Sequence, residues 1–209
     1  MKKLLLTLMF PLMLLAVSND NILAITWLNG FCKANPKKAV CLDRKYGDYS
    51  LTHFTLHGLW PKKNYCGFKP MHLDKEFFKL LVKYMPAAKF GLAKHEWKKH
   101  GTCFGTDAKT YFLTAIKFTQ QFNETMFLQF FRMHMGRIVT LKRMRWEFGQ
   151  IFGKNNIRKF QMICKKGYIT EIRIKLKGNP IKGYFPDLIN NADEFKGVRQ
   201  CQEGIIATP

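Results

Sequence analysis

Two segments concentrate side chains that can do chemistry on a phosphate: Phe54-Thr55-Leu56-His57-Gly58-Leu59-Trp60-Pro61 and His95-Glu96-Trp97-Lys98-Lys99-His100-Gly101-Thr102-Cys103. Cleaving a phosphodiester without a metal requires a base, an acid and fixed positive charge, and these segments hold all three. On a helix successive residues rotate by ~100°, so His95, Glu96, Lys99 and His100 share an arc of ~140°, while Trp97 and Lys98 point elsewhere. Glu96 precedes His100 by four residues and is expected to support the charge of that imidazole. Lys99 and His95 are placed to hold a phosphate oxygen and oppose charge building on phosphorus. The same residue types also make an ordinary solvated basic helix face. A zinc site of the His-Glu-x-x-His kind fits poorly: the histidines are five residues apart, splayed by ~140° rather than ~40°, with an ammonium beside them. His57, next to Gly58 and followed by Trp60-Pro61, is suited to face a cleft with Trp60 packed beside it. The competing reading is a hydrogen-bonded structural histidine. That reading is taken for His72 and His134, and for His53 with an accessory substrate role as its alternative.

These residues need elements to carry them. Phe54 and Leu56 alternate with Thr55 and His57, the pattern of a strand with one buried face, and the alternation puts His53 on the face of His57. Asp74 is positioned to cap a helix running to about Met85, where Pro86 ends it. A short helix covers about Leu92 to His100. Asp107 to Phe122 brings Tyr111, Phe112, Ala115, Phe118, Thr119 and Phe122 to helical spacing, and Met126 to Met135 reads as a further helix up to Gly136. The Phe and Met stripes are expected in the core rather than as ligand platforms. Phe160–Cys164 and Tyr168–Leu176 read as a strand pair around Lys165-Lys166-Gly167. Strands and helices mix without regular alternation, which predicts an α+β fold, with a mainly antiparallel sheet packed by helices.

Residues 1–18 have the make-up of a secretory signal: Lys2 and Lys3, then an apolar run from Leu4 to Leu15, then Ala16-Val17-Ser18. The run is shorter than the ~20 residues of a spanning helix and is interrupted by Pro11. No stable membrane association is expected. Residues 19–209 are expected to form one domain and to work outside the cell, as a monomer. Removing the signal takes two lysines and no acid from a net charge of +21, leaving +19. Such a field attracts polyanions, among which RNA, DNA, acidic polysaccharide and anionic lipid all remain open, and it also serves solubility. Cys32, Cys41, Cys66, Cys103, Cys164 and Cys201 form an even set that favours disulfides in a secreted chain, with 15 pairings open. Asn123-Glu124-Thr125 is a glycosylation sequon.

The two motifs, in this order and spacing, closely resemble the paired active-site segments of the ribonuclease T2 family of secreted RNA endonucleases. The resemblance covers residues 27–201 in outline. It implies that His57 is the general acid, His100 the general base, and that His95, Glu96 and Lys99 stabilise the transition state. Trp60, His95 and Lys99 would contact the substrate. The implied reaction is a metal-independent transphosphorylation to a 2′,3′-cyclic phosphate, for which DNA lacks the nucleophile; no cofactor is implied. It also suggests the disulfides Cys66–Cys103, Cys164–Cys201 and, by remainder, Cys32–Cys41. The basic, secreted character looks like the plant pistil ribonucleases of self-incompatibility. Those would have pollen F-box proteins as recognition partners, with Asp43–Thr52 and Pro61–Leu73 as allele-specific surface. A scavenging or defence ribonuclease is one alternative, and a non-catalytic cationic RNA-binding protein another.

Departures from the family pattern cluster where the base would be held. Thr26 stands where a glutamine is common, and Trp27 is followed by Leu28 rather than proline. Leu92 and Ala93 replace aromatics, which weakens stacking on the base. Ala87 and Ala88 occupy positions where relatives grip it. The strand from Glu171 to Leu176 lacks a cysteine often seen in plant members. None of these touches the five chemical residues.

Overall fold

The computed structural model describes residues 17–197 and 200–209. The expected signal therefore lies outside the described residues, apart from Val17 and Ser18. In chain order the elements are β1 (Asp20–Thr26), α1 (Leu28–Ala34), α2 (Ala39–Leu42), β2 (Thr55–Pro61), α3 (Lys75–Tyr84), α4 (Leu92–Lys99), α5 (Ala108–Asn123), α6 (Met126–Met133), β3 (Ile138–Thr140), α7 (Leu141–Phe152), β4 (Phe160–Lys165), β5 (Tyr168–Lys177), α8 (Phe185–Asn190) and β6 (Glu203–Ile205). The sheet runs β2-β1-β5-β6-β3, with β4 on β5 as well. All pairings are antiparallel except the single contact of β5 with β6. This is the α+β class expected.

Helix boundaries follow local chemistry. Asp74 caps α3 by accepting from the Phe77 N–H at 2.7 Å, and Asp107 caps α5 from the Thr110 N–H at 2.8 Å. The aromatic stripe expected on α5 is buried throughout, from Tyr111 to Phe122. It meets Phe127 and Phe131 of α6, Phe148 and Phe152 of α7, Phe160 of β4 and Phe54 before β2 in one aromatic core. Each such ring contributes on the order of 2–3 kcal/mol by leaving water. β1, α1, α7, α8 and β6 carried no sequence expectation. β1 nonetheless lies between β2 and β5, with Leu23, Ala24 and Ile25 fully buried.

All three disulfides are those the resemblance suggested: Cys32–Cys41, Cys66–Cys103 and Cys164–Cys201. Among the described residues no helix is long and apolar enough to cross a membrane.

The sequon is a correction. Asn123 is buried; its Nδ2 donates to the Phe54 carbonyl at 2.9 Å and to the Tyr49 hydroxyl at 3.0 Å, and its Oδ1 accepts from the Phe54 N–H. A glycan would leave Nδ2 a single N–H and has no room at this buried position, so both donations could not be kept; Asn123 pins the entry to β2 instead.

Candidate active site

The site begins with an irregularity in β2. Ala24 pairs with Gly58 and Ile25 with Leu56, which leaves His57 as an extra residue without a partner, a β-bulge. The phase of the strand changes there: Leu56 and Leu59, an odd number of residues apart, are both in the core. His57 and Trp60 consequently share the opposite face, ring centroids 5.2 Å apart. A regular strand would send them to opposite faces. The alternation expected for His53 fails for a different reason: the chain bends there before the strand begins. His53 lies ahead of β2, stacks on Tyr49 and bonds Arg132, and lines a separate cavity without His57.

α4 supplies the second half. Gly91, at φ +93°, opens it in a conformation glycine adopts without strain, and His100 forms its C-cap. Trp97 anchors the helix through its indole N–H to the Lys69 carbonyl at 2.8 Å. Glu96 is fully buried and accepts from the Trp60 indole at 2.7 Å, with its other oxygen 3.7 Å from His57 Nε2. The expectation that Glu96 supports His100 is thus corrected: its carboxylate turns to Trp60 and His57. The bond crosses directly over Gly58, where a Cβ would stand 2.1 Å from Glu96 Oε2. His100 lies under the Trp60 ring, centroids 5.3 Å apart and nearly parallel. Its Nδ1 is buried without a partner. His95 is exposed and Lys99 half-buried on the solvent side of α4. His134 bonds the Phe130 carbonyl, as a structural histidine does, and His72 is exposed.

Two groups from β5 complete the cluster, and sequence reasoning missed both. Glu171 Oε2 accepts from His57 Nδ1 at 2.5 Å, and its Oε1 accepts from Arg173 Nε at 2.5 Å. The Arg173 guanidinium lies 4.9 Å over the Trp60 ring. The available signal was a lone glutamate on the face that Arg173, Lys175 and Lys177 otherwise make basic, opposite the apolar face of Ile172, Ile174 and Leu176.

The two candidate histidines are shifted in opposite directions. Burial alone depresses the His57 pKa, but the hydrogen bond and charge of Glu171, with the charge of Glu96, outweigh it and raise the pKa. Burial and the charges of Lys99, His95 and His57 push His100 down to about 4. Burial raises the Glu96 pKa against the pull of His57, Trp60 and Lys99.

His57 lines a cavity of about 370 Å³ with Thr26, Ala87, Leu92, Glu171 and Arg173. Three of the five residues at the expected base-holding positions are therefore together. Ala88 and Ala93 are not: both are buried in the core, Ala88 because its short helical turn (86–90) points it inward. His100 and Trp60 line a separate depression of about 420 Å³.

The model of the Ribonuclease T2 family matches residues 20–190. Ribonuclease I of Escherichia coli (strain K12) is 24% identical over 202 residues, covering 77% of this chain and 75% of that protein. Among solved structures, the Nicotiana alata SF11-RNase, associated with gametophytic self-incompatibility, superposes with a TM-score of 0.65 at 19% identity, over 91% of this chain and 99% of that one. Trichomaglin, described as an S-like ribonuclease, superposes with a TM-score of 0.60 at 18% identity, over 91% and 98%. At such identities these two likenesses speak for the fold alone.

Proposed function

This chain belongs to the ribonuclease T2 family of endoribonucleases, and on that premise we propose that it cleaves single-stranded RNA by metal-independent transphosphorylation with His57 and His100 as the proton-transfer pair. The observation that carries this reading is the contrast between two imidazoles packed on one indole: carboxylates favour the charged form of His57, while burial and like charge favour the neutral form of His100. That is the division of labour acid–base catalysis needs near neutral pH.

In the reaction, neutral His100 takes the proton of the ribose 2′-hydroxyl. The 2′-oxygen attacks the adjacent phosphorus, and the bond from phosphorus to the 5′-oxygen breaks. His57 gives its proton to that departing oxygen. The products are a 2′,3′-cyclic phosphate and a 5′-hydroxyl. His95 and Lys99, on the open face of α4, oppose the charge that builds on the phosphoryl oxygens. Glu96 holds Trp60 and lends charge to His57. The nucleobase occupies the cavity that Thr26, Ala87 and Leu92 line, and the short or aliphatic side chains at these three positions favour loose base preference.

The biological setting follows from charge and cysteine use. Residues 1–18 act as a secretory leader, and three disulfides suit an oxidising compartment. A net charge of +21 for the whole chain favours a pistil self-incompatibility ribonuclease, with pollen F-box proteins as partners, over a scavenging or defence enzyme. The fold does not separate these roles, since SF11-RNase and an S-like ribonuclease resemble it about equally. Expression confined to style tissue supports the first role; induction under phosphate starvation supports the second.

The catalytic test uses refolded, disulfide-bonded protein in excess EDTA with RNA and DNA, beside a His57→Ala/His100→Ala double variant. Cleavage of RNA alone, by the wild type alone, with cyclic phosphate ends is expected. Cleavage by the double variant would overturn the assignment. Binding of RNA without cleavage by the folded wild type would favour a cationic RNA-binding protein.

A further inference from the structure

We propose that the loop 62–71, with the outer face of α4, is a second binding surface for single-stranded polynucleotide, remote from the scissile phosphate. It takes its ligand class from the ribonuclease reading. Phe68 is 93% exposed and Tyr65 58% exposed, a costly display for two aromatic rings unless something covers them. They border a cavity of about 690 Å³ whose charged lining is Lys69, Lys94 and Lys98, with no carboxylate. Among the described residues none of these lysines is in an ion pair. Aromatic faces for bases and unpaired cations for phosphates together make a sequence-tolerant single-strand platform.

The platform is fixed and continuous with the cleft. The loop is tied by Cys66–Cys103, by the Tyr65 N–H to the Lys99 carbonyl at 2.8 Å, and by the Trp97 indole to the Lys69 carbonyl. Tyr65 itself stands in the left-handed region at φ +56°. The rings are thus presented on an ordered backbone and lose little freedom on binding. On α4, Lys94 and Lys98 form one row and His95 and Lys99 the adjacent row, each four residues apart. Positive charge therefore runs from the proposed phosphate-binding residues to the loop. A lining of one charge sign favours a polyanion over a protein with mixed charge.

The experiment compares a dinucleoside monophosphate, a 20-nucleotide RNA and an uncleavable 20-nucleotide DNA, for the wild type, Tyr65→Ala/Phe68→Ala and Lys94→Gln/Lys98→Gln. Unchanged kcat/KM on the dinucleotide is expected, with about a tenfold loss on the long RNA and in DNA affinity, and recovery in Phe68→Trp. The lysine pair should flatten the log–log salt slope of DNA binding by about 1.4. Equal behaviour of all variants on the long substrates would overturn the platform and leave the surface to a protein partner. A wild type that binds DNA but cleaves neither RNA would overturn the catalytic reading while sparing the platform.

A second inference rests on independent geometry: we infer that Glu171 is a positioning residue that fixes His57 with Nδ1–H inward and Nε2 free for the leaving oxygen. β2 and β5 both flank β1, so their residues stand roughly 10 Å apart across it. The bulge at His57 and the length of a glutamate close that gap to a 2.5 Å contact. Glu171 is buried, and Arg173 on the same strand holds its other oxygen. The titratable and charged groups facing His57 are Glu171 and Arg173 from β5 and Glu96 and the neutral-leaning His100 from the α4 segment. Glu171→Gln should move the alkaline limb of the kcat/KM profile to lower pH and leave the acid limb in place. It should cleave a nucleoside 3′-(4-nitrophenyl phosphate), whose leaving group departs without a proton, as fast as the wild type. Equal losses on both substrates with an unmoved profile would mean a merely structural role and overturn the inference. A wild type inactive on both would instead overturn the ribonuclease reading.

Discussion

His57 and His100 both pack against one indole, His57 edge-on and His100 stacked, and their environments shift them in opposite directions. In the proposed mechanism the rate requires His57 protonated and His100 neutral. As pH rises through about 4, His100 loses its proton and the rate climbs. As pH passes the raised pKa of His57, above 6.5, the acid is lost and the rate falls. A bell with a broad acidic-to-neutral top is therefore expected in kcat/KM against pH, and a rate flat from pH 4 to 9 would contradict it. His57→Ala and His100→Ala should each cost roughly 10²–10⁴-fold in kcat, and the pair less than the product, since both act in one step. Gly58 is a third determinant. Gly58→Ala places a methyl group against the Trp60–Glu96 bond, so activity should fall sharply with only a modest loss of melting temperature. Activity within twofold of wild type would show that the bond is dispensable.

At the scale of elements, one bulge, one helix and one buried tyrosine align the site. The bulge turns His57 and Trp60 to the same face, and α4 delivers Glu96 and His100 beneath them. Tyr111 of α5 donates to the Leu59 carbonyl at 2.8 Å, two residues from the bulge. It is fully buried, so Tyr111→Phe leaves that carbonyl without its partner. The expected cost is about 1–3 kcal/mol in urea denaturation, with a larger fractional loss of kcat than other core substitutions of equal cost. Local spacing placed β2, α4 and α5 close to where they stand, α5 most clearly because its apolar stripe keeps one phase over its length. It could not locate the bulge, because an extra residue reveals itself only against the partner strand.

At the scale of the whole molecule, charge and cross-links govern encounter and integrity. Binding of polymeric RNA by a chain of net charge +21 should weaken steeply between about 50 mM and about 200 mM salt, while dinucleotide cleavage changes far less. Equal salt dependence of the two would argue against an extended contact. Cys66–Cys103 ties the loop after β2 to the end of α4, across 37 residues of chain. Replacing both cysteines by alanine should cost about 2–5 kcal/mol and loosen the His57–Trp60–His100 stack, read as lost activity below the melting transition.

The residue types of the site, the order of the two motifs, the capped helices, the aromatic core and the α+β class were all legible from the chain. They are written in local spacing, and local spacing is what one sequence displays. Three things only the tertiary structure decided. Glu96 was turned from His100 to His57 and Trp60 because the fold brings those two side chains of β2 within reach of its carboxylate, which no helical wheel contains. Asn123, a surface sequon by its letters, became a buried clamp because Phe54 and Tyr49 converge on it from 69 and 74 residues away. Glu171, 114 residues from His57, entered the site because two strands share β1 as a neighbour and a bulge shortens the reach between them. Contacts made across the sheet depend on register, and register is a property of paired strands rather than of either sequence alone.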